Sequence, residues 1–351
     1  MHATADRRSV EGIRRAEAER IVAVAVRAPS LHNSQPWLFA LRDGALELRA
    51  DDSRHLPGTD PNERQLLISC GAALFGARLG ARALGLVPRV ELMSEPSQPD
   101  LLARLHVQER APADAESTSL LRAVPWRWTV RSHFAPDPVP AGLLAAMRRA
   151  AAWERAVLLV LEEPARRRAA AELVAAADRA QGASDVVSCE LATWTSRDAT
   201  ADGVPPWAYP PRPPARDADQ FPVRDFAQGR PGRGAQMPGH PDAPAEPGPA
   251  GPPAAAALLT GGDAPVDWLR TGQALHRVLL TAAAAGVQAS LHSQPFGVEG
   301  LRRSVREVLT GGAEPQLLLQ FGHPTGAGAA GPATPRRPVA DVLTIAGPFR
   351  E

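Results

Sequence analysis

Apolar residues recur along this chain with two periods, and those periods assign most of its elements. Between residues 8 and 26, Val10, Ile13, Ile21, Val22 and Val24–Val26 alternate with charges at helical spacing. Trp37–Leu41 and Ala45–Arg49 alternate in twos around Arg42-Asp43-Gly44, which predicts a hairpin with an Asp-Gly turn. Asn62–Leu84 returns to the helical period, and its middle, Ser69-Cys70-Gly71-Ala72-Ala73, is small enough for close packing against another helix. Pro88–Met93 and Leu102–Val107 read as strands, so this part of the chain is α+β.

After a polar stretch at 112–124 a second unit begins near Pro125. Helical patterns at Val139–Ala152 and Ala165–Arg179 flank a strand at Ala156–Glu162, and a further helix covers 185–196. From Gly203 to Pro253 prolines and glycines dominate. Missing amide donors and a high ordering entropy argue against regular structure there. Such an insertion is either a linker or a lid over a site, and Trp207, Tyr209 and Phe221 are candidate anchors for a lid. Helices at Val266–Ala285 and Val298–Leu309, a strand at Gln316–Phe321 and a Pro/Arg-rich tail complete the pattern.

Composition narrows the chemistry. With 351 residues and 44% hydrophobic content, the chain can hold two modest domains or one large one. A net charge of +1 argues against nucleic acid as the main partner. No lysine occurs anywhere, so P-loop, Schiff-base and kinase-type lysine chemistry is excluded. Any phosphate must be held by arginine forks, backbone amides or hydroxyls. Cys70 and Cys189 stand far apart in apolar helical contexts and read as buried free thiols of a reducing compartment. The first residues lack an apolar leader core, and no apolar run reads as membrane-spanning, so the expectation is a cytoplasmic protein without a membrane partner.

Four strings carry candidate chemistry. Arg27-Ala-Pro-Ser-Leu-His-Asn-Ser-Gln-Pro-Trp37 crowds a rigid proline, amide side chains and hydroxyls between a helix and a strand, a fork suited to a flat heteroaromatic ligand. Arg127-Trp128-Thr129-Val130-Arg131 sets two guanidiniums around a hydroxyl, either a clamp for a phosphate or a pair on a solvated face. Gly286–Gly297 reads as a loop between two helices. Arg336-Arg337 precedes a final strand. A fifth string, Gly326-Ala-Gly-Ala-Ala-Gly331, matches a dinucleotide fingerprint, but Pro332 and Pro335 forbid the helix it requires, and it reads as a flexible loop. No HExxH, CxxC or GxSxG string occurs, so metal and hydrolase templates find no anchor. Ser290–Pro295 echoes Ser30–Pro36, an echo read as coincidence because its flanking patterns differ.

The first string resembles the Ala-Pro-Ser-x-x-Asn-x-Gln-Pro-Trp signature of FMN-dependent nitroreductases, and His32 before Asn33 is typical of their long, internally duplicated Acg-type branch. The resemblance implies a nitroreductase-like α+β fold of two fused halves forming an intrachain pseudo-dimer. A degenerate half would span 1–112 and a half carrying the phosphate site 113–351, with a lid or linker at 203–262. It implies one FMN between the halves, since Arg7-Arg8-Ser9 makes no full second clamp, and the internal interface would allow a monomer. Pro29, Ser30, Asn33 and Gln35 would touch the ring and ribityl chain. His32 would stack on or bond to the flavin, or merely pack the loop. Arg127, Thr129, Arg131, Arg336 and Arg337 would hold the phosphate. Backbone amides of Phe296 and Gly297, shaped by Gln294 and Pro295, would face N5. The implied reaction takes hydride from NAD(P)H and delivers it to a small electrophile such as a nitroaromatic or quinone, with no side chain as acid or base. The alternative is a protein that sequesters FMN with little turnover.

Overall fold

Two sheets, each backed by a long helix, meet across a helix pair in a computed structural model. The structure describes residues 12–132, 134–195, 201–205, 208, 221–224, 226, 251–324 and 334–345. Most of 203–253, the candidate anchors Trp207 and Tyr209, His133, Arg7-Arg8-Ser9 and the glycine string 326–331 lie outside the described residues.

The first unit runs α1 (Arg15–Ala25), β1 (Trp37–Arg42), β2 (Ala45–Ala50), α2 (Arg64–Ala83), β3 (Leu86–Leu92) and β4 (Leu101–Arg110). The hairpin forms as expected: Asp43 (φ 49°) and Gly44 (φ 71°) both take the left-handed conformation that a tight primed turn demands. After α3 (Ala115–Ala123) the second unit runs α4 (Ala141–Trp153), β5 (Val157–Val160), α5 (Pro164–Gly182), α6 (Asp185–Trp194), β6 (Ala254–Thr260), α7 (Pro265–Ala284), β7 (Gln288–His292), α8 (Leu301–Leu309) and β8 (Glu314–Gly322). The last strand, β9 (Leu343–Ile345), leaves that unit and pairs parallel to β1, with Phe39 opposite Leu343. The sheet orders are β3-β4-β2-β1-β9 and β5-β6-β8-β7, and every pairing except β1–β9 is antiparallel.

Several expectations are corrected. The Pro/Gly-rich stretch read as 203–262 ends in β6, a buried inner strand that starts within two residues of the last proline. The presumed loop 286–297 contains β7. Although 113–351 was read as one half, its end joins the first sheet. Cys70 is buried, whereas Cys189 is exposed on α6. Finally, α2 is long and apolar enough to cross a membrane by length and composition, but 83% of that window is buried inside the protein.

The burial of α2 has a specific cause. It crosses α7 so closely that a Cβ on Gly71 would sit 2.1 Å from the Leu269 carbonyl oxygen, and one on Gly272 would sit 2.0 Å from that of Ile68. The small-residue stretch thus does what its composition implied: no other residue type fits at the crossing. On either side, Trp37, Phe39, Leu48 and Leu105 pack on α1 and α2, while Leu258, Leu317, Leu319 and Phe321 pack on α4, α7 and the second sheet's own helices.

Candidate functional site

A cleft of about 960 Å3, open solvent at its mouth included, opens beside the α2–α7 crossing. Its walls come from both units. Pro29, Ser30 and His32 come from the connection between α1 and β1, Gln65 and Ser69 from the first turns of α2, and Thr129–Ser132 from the segment before α4. Ser290–Gln294 come from β7 and the turn after it, and Val204, Phe221–Arg224 and Phe226 come from the Pro/Gly-rich stretch.

The connection from α1 to β1 is held open by local chemistry. The Ser30 hydroxyl accepts from the Gln35 amide at 3.0 Å, and the Leu31 amide donates to the Ser69 hydroxyl at 3.3 Å. His32 (φ 48°), Asn33 (φ 58°) and Gln35 (φ 53°) all lie in the left-handed region, an unusual density for residues with side chains and one that tertiary contacts must sustain.

The predicted residues separate into three groups. Pro29, Ser30, His32, Thr129, Arg131 and Gln294 are on the cleft wall. Arg127 is buried and Arg336 half-buried behind it, in one cluster with Arg27 and Arg131. The others face elsewhere. Asn33 and Gln35 bond to backbone at 201–203 and 335–337. Arg337 pairs with Asp51 at 3.2 Å. Phe296 packs in the apolar core beside Leu318, with Pro295 buried next to it. The amide donors expected of Phe296 and Gly297 are spent inside their own turn, on Ser293 O (3.0 Å) and Gln294 O (3.2 Å), and Gly297 lies hard against Thr59 O.

Electrostatically the cluster behind the wall stands out. Burial brings the Arg127 guanidinium down to about 10, and the Arg27 and Arg131 charges add to the effect. Burial also holds Arg336 well below its ordinary value, helped by Arg127, Arg27 and Arg131. Arg127 donates to the Arg27 carbonyl at 3.1 Å, but its Nε and Nη1 have no partner, and neither has Nε of Arg336. Among the described residues no carboxylate pairs with either. Buried, repelled by its neighbours and short of acceptors, Arg127 calls for an anion, and Arg336 shares the repulsion although its Nη1 and Nη2 donate to Asn33 Oδ1 and Ala28 O.

Around the cleft itself, buried polar atoms of His32 (Nε2), Gln65 (Nε2), Ser132 (Oγ), His292 (Nδ1), Gln294 (Oε1) and Gln320 (Nε2) are also without partners, the mark of a surface shaped for a polar ligand. Burial, then Arg224, lowers His292 to about 3, while burial, Arg224 and Arg131 depress His32, so both imidazoles are neutral at pH 7. Phe221 meets His292 edge-on at 4.9 Å and Phe226 meets His32 edge-on at 6.1 Å. Phe221 is buried against the second sheet. Sequence reasoning missed Arg27, Gln65, Ser290, His292 and Arg224. For His292 a signal existed, because the echo of Ser30–Pro36 at Ser290–Pro295 brings a second histidine to the same cleft, although on β7 rather than before β1.

No family model matches the chain. A Mycobacterium tuberculosis protein named "Putative NAD(P)H nitroreductase Rv3131" is 34% identical over 92% of this chain and 90% of its own length. From the same organism, "Uncharacterized protein Rv3127" is 30% identical over 92% of each chain. "Putative NAD(P)H nitroreductase acg" is 29% identical over 92% of this chain and 94% of its own. By that likeness, spanning nearly the whole of both partners, the chain belongs to the nitroreductase family of oxidoreductases, in its Acg-type branch.

Proposed function

We propose that the cleft holds one FMN and that the protein is an NAD(P)H-dependent flavin oxidoreductase acting on a small electrophile such as a nitroaromatic or quinone. One observation carries the reading. Behind the cleft wall, Arg127 and Arg336 repel each other and keep unpartnered N–H groups, Nε and Nη1 of Arg127 and Nε of Arg336, which suits a phosphate. Arg131 and Thr129 stand on the cleft wall itself and would be further donors. Pro29, Ser30 and His32 would form the wall along the ring and ribityl chain, and the orphaned amides of Gln65, Gln294 and Gln320 supply both donors and acceptors for polar edges. Bound flavin supplies hydride acceptance and delivery. The chain's residues bind, orient and exclude water, and the neutral His32 and His292 keep further positive charge off the walls.

The repeated topology supports an internal duplication. The order α1-β1-β2-α2-β3-β4 recurs as α4-β5-β6-α7-β7-β8, with α5, α6, the Pro/Gly-rich stretch and α8 added, and the strand orders β3-β4-β2-β1 and β7-β8-β6-β5 correspond one to one. Gly71 and Gly272, each the eighth residue of its helix, contact the partner helix reciprocally, as equivalent residues do about a two-fold axis. One chain would then supply both sides of the site and need no second copy.

Val204, Phe221 and Phe226 on the cleft wall favour a second reading, in which the Pro/Gly-rich stretch retains FMN with little turnover. The phosphate assignment is tested by comparing FMN with riboflavin. FMN is expected to bind at least about 100-fold more tightly, the worth of one or two charge-assisted hydrogen bonds. Equal affinities would remove the assignment. Rapid bleaching of the yellow protein by NADPH separates the enzyme from the store.

A further inference from the structure

Asn33 and Gln35 carry the family's signature amides, yet both side chains are committed away from the cleft. Asn33 brackets Gly203: the Gly203 amide donates to Asn33 O at 3.2 Å, and Asn33 Nδ2 donates to Gly203 O at 3.0 Å. The same Nδ2 donates to Pro335 O at 3.0 Å, and Asn33 Oδ1 accepts from Arg336 Nη1 at 2.9 Å. Gln35 repeats the pattern one step along. Its Nε2 donates to Ala201 O at 2.8 Å, and its Oε1 accepts from the Arg337 amide at 2.9 Å. A chain of ion pairs joins the same two segments: Asp202 to Arg54 (2.7 Å), Arg54 to Asp51 (3.4 Å) and Asp51 to Arg337 (3.2 Å). Arg54 also donates to Ser34 O at 2.8 Å, within the signature loop. The left-handed backbone at 32, 33 and 35 is what turns these amides sideways.

We propose that Asn33 and Gln35 are positioning residues, a clasp locking the root of the Pro/Gly-rich stretch (201–204) to the C-terminal strap (334–337), so that anion binding at Arg336 is felt at the cleft wall. The inference rests on the reading that Arg336 meets the cofactor's phosphate. The strap places Arg336 among Arg27, Arg127 and Arg131, and without an anion that seat is disfavoured by like charge. A phosphate removes the repulsion and the strap seats. Asn33 then holds Arg336 with one end of its amide and Gly203 with the other. Val204, next to Gly203, is on the cleft wall and is tied back by its amide to Trp194 O at 2.8 Å. By reciprocity, anything that loosens 201–204 must weaken phosphate binding.

Hydrogen exchange of the Gly203 and Arg337 amides in the full chain, measured with FMN, with riboflavin and without ligand, tests the clasp. FMN is expected to slow both amides about 10- to 100-fold, within the usual range of coupling between sites, and riboflavin to slow neither appreciably. In Asn33→Ala, FMN should still slow Arg337 but leave Gly203 near its ligand-free rate, and FMN should dissociate faster. Gln35→Glu, which keeps the acceptor for the Arg337 amide and loses the donor to Ala201, should give a milder version of the same split if Asn33→Ala folds poorly. A native protein in which FMN slows Arg337 without Gly203 overturns the clasp alone, as does a variant pair whose Gly203 response stays intact. Equal slowing by riboflavin and FMN overturns the phosphate reading beneath it.

Discussion

The connections leading out of α1 and α4 occupy corresponding places in the two units and could hardly differ more. Between α1 and β1 the chain takes residues 26–36 to build a wall of the cleft, with three left-handed residues and buried amides. Between α4 and β5 it takes only 154–156, where Glu154 is held by Arg78 and Arg277 and Arg155 (φ 59°) turns the chain. The strands that follow differ too, since β1 is covered by β9 while β5 ends its sheet. The element order thus repeats, but the polar loop, the guanidinium cluster and the strap converge beside only one connection. A frame with a repeated topology keeps its stability at the shared crossing and is free to keep chemistry on one side.

Breaking the shared part should have the largest effect. Gly71→Ala and Gly272→Ala each push a methyl into partner backbone, which cannot yield as a flexible side chain would. Each is expected to cost about 3–5 kcal/mol or to abolish folding, and the two costs should be similar because the contacts are reciprocal. Gly142→Ala on α4, whose added Cβ meets nothing, is the control and should be neutral or slightly stabilising. Denaturant unfolding measures all three. A large loss for one crossing glycine and none for the other would break the symmetry argument.

The unshared part makes a prediction of opposite sign. Arg127→Met deletes a buried cation that makes one hydrogen bond and repels its neighbours. The ligand-free protein should gain about 1–3 kcal/mol, while FMN affinity should fall about 100-fold. Thermal unfolding with and without FMN reads both. Loss of stability in the ligand-free state would mean that Arg127 is a structural cation rather than one held for a ligand.

Much of this contrast was legible in the residues, and the rest was hidden for identifiable reasons. Helical spacing located α2 and α7, and the Asp-Gly turn located the first hairpin, because those signals are local. The strand β6 is an Ala-rich run behind a proline cluster, and β7 is Gln-Ala-Ser-Leu-His, so neither carries the β-branched alternation that marks a strand. That β9 crosses to the first sheet depends on a partner some 300 positions away and leaves no local trace. Arg127, Arg131 and Arg336 stand out in the sequence through the likeness of their strings to the family's phosphate-holding arginines. Asn33 and Gln35 were also found, but their partners at Gly203 and Pro335 were not, since an amide's residue type does not reveal which way a left-handed backbone turns it.

The smallest effect comes from a single difference between the two helices. The twelfth residue of α2 is Phe75 and that of α7 is His276, and their rings meet edge-on at 5.7 Å. Nδ1 of His276 donates to Ala72 O at 2.7 Å, its Nε2 has no partner, and burial, then Arg127, brings its pKa down to about 3, with Arg336 adding to the effect. The folded state therefore refuses a proton that the unfolded chain takes up near pH 6.5. No stability is lost above that pH, and stability falls as pH drops from there toward 3. Between pH 7 and 5 the loss is about 2 kcal/mol for such a histidine, and His292, also near 3, adds a similar amount. His276→Asn keeps a donor for Ala72 O and removes the titrating ring, so it should flatten the dependence by one histidine's share without touching the cleft wall. His292→Asn should remove a similar share and alter the wall as well, and His32, also depressed, supplies a further part. An unchanged pH slope in His276→Asn would show that the ring is open to water when folded, and the two helices would then differ in shape but not in charge.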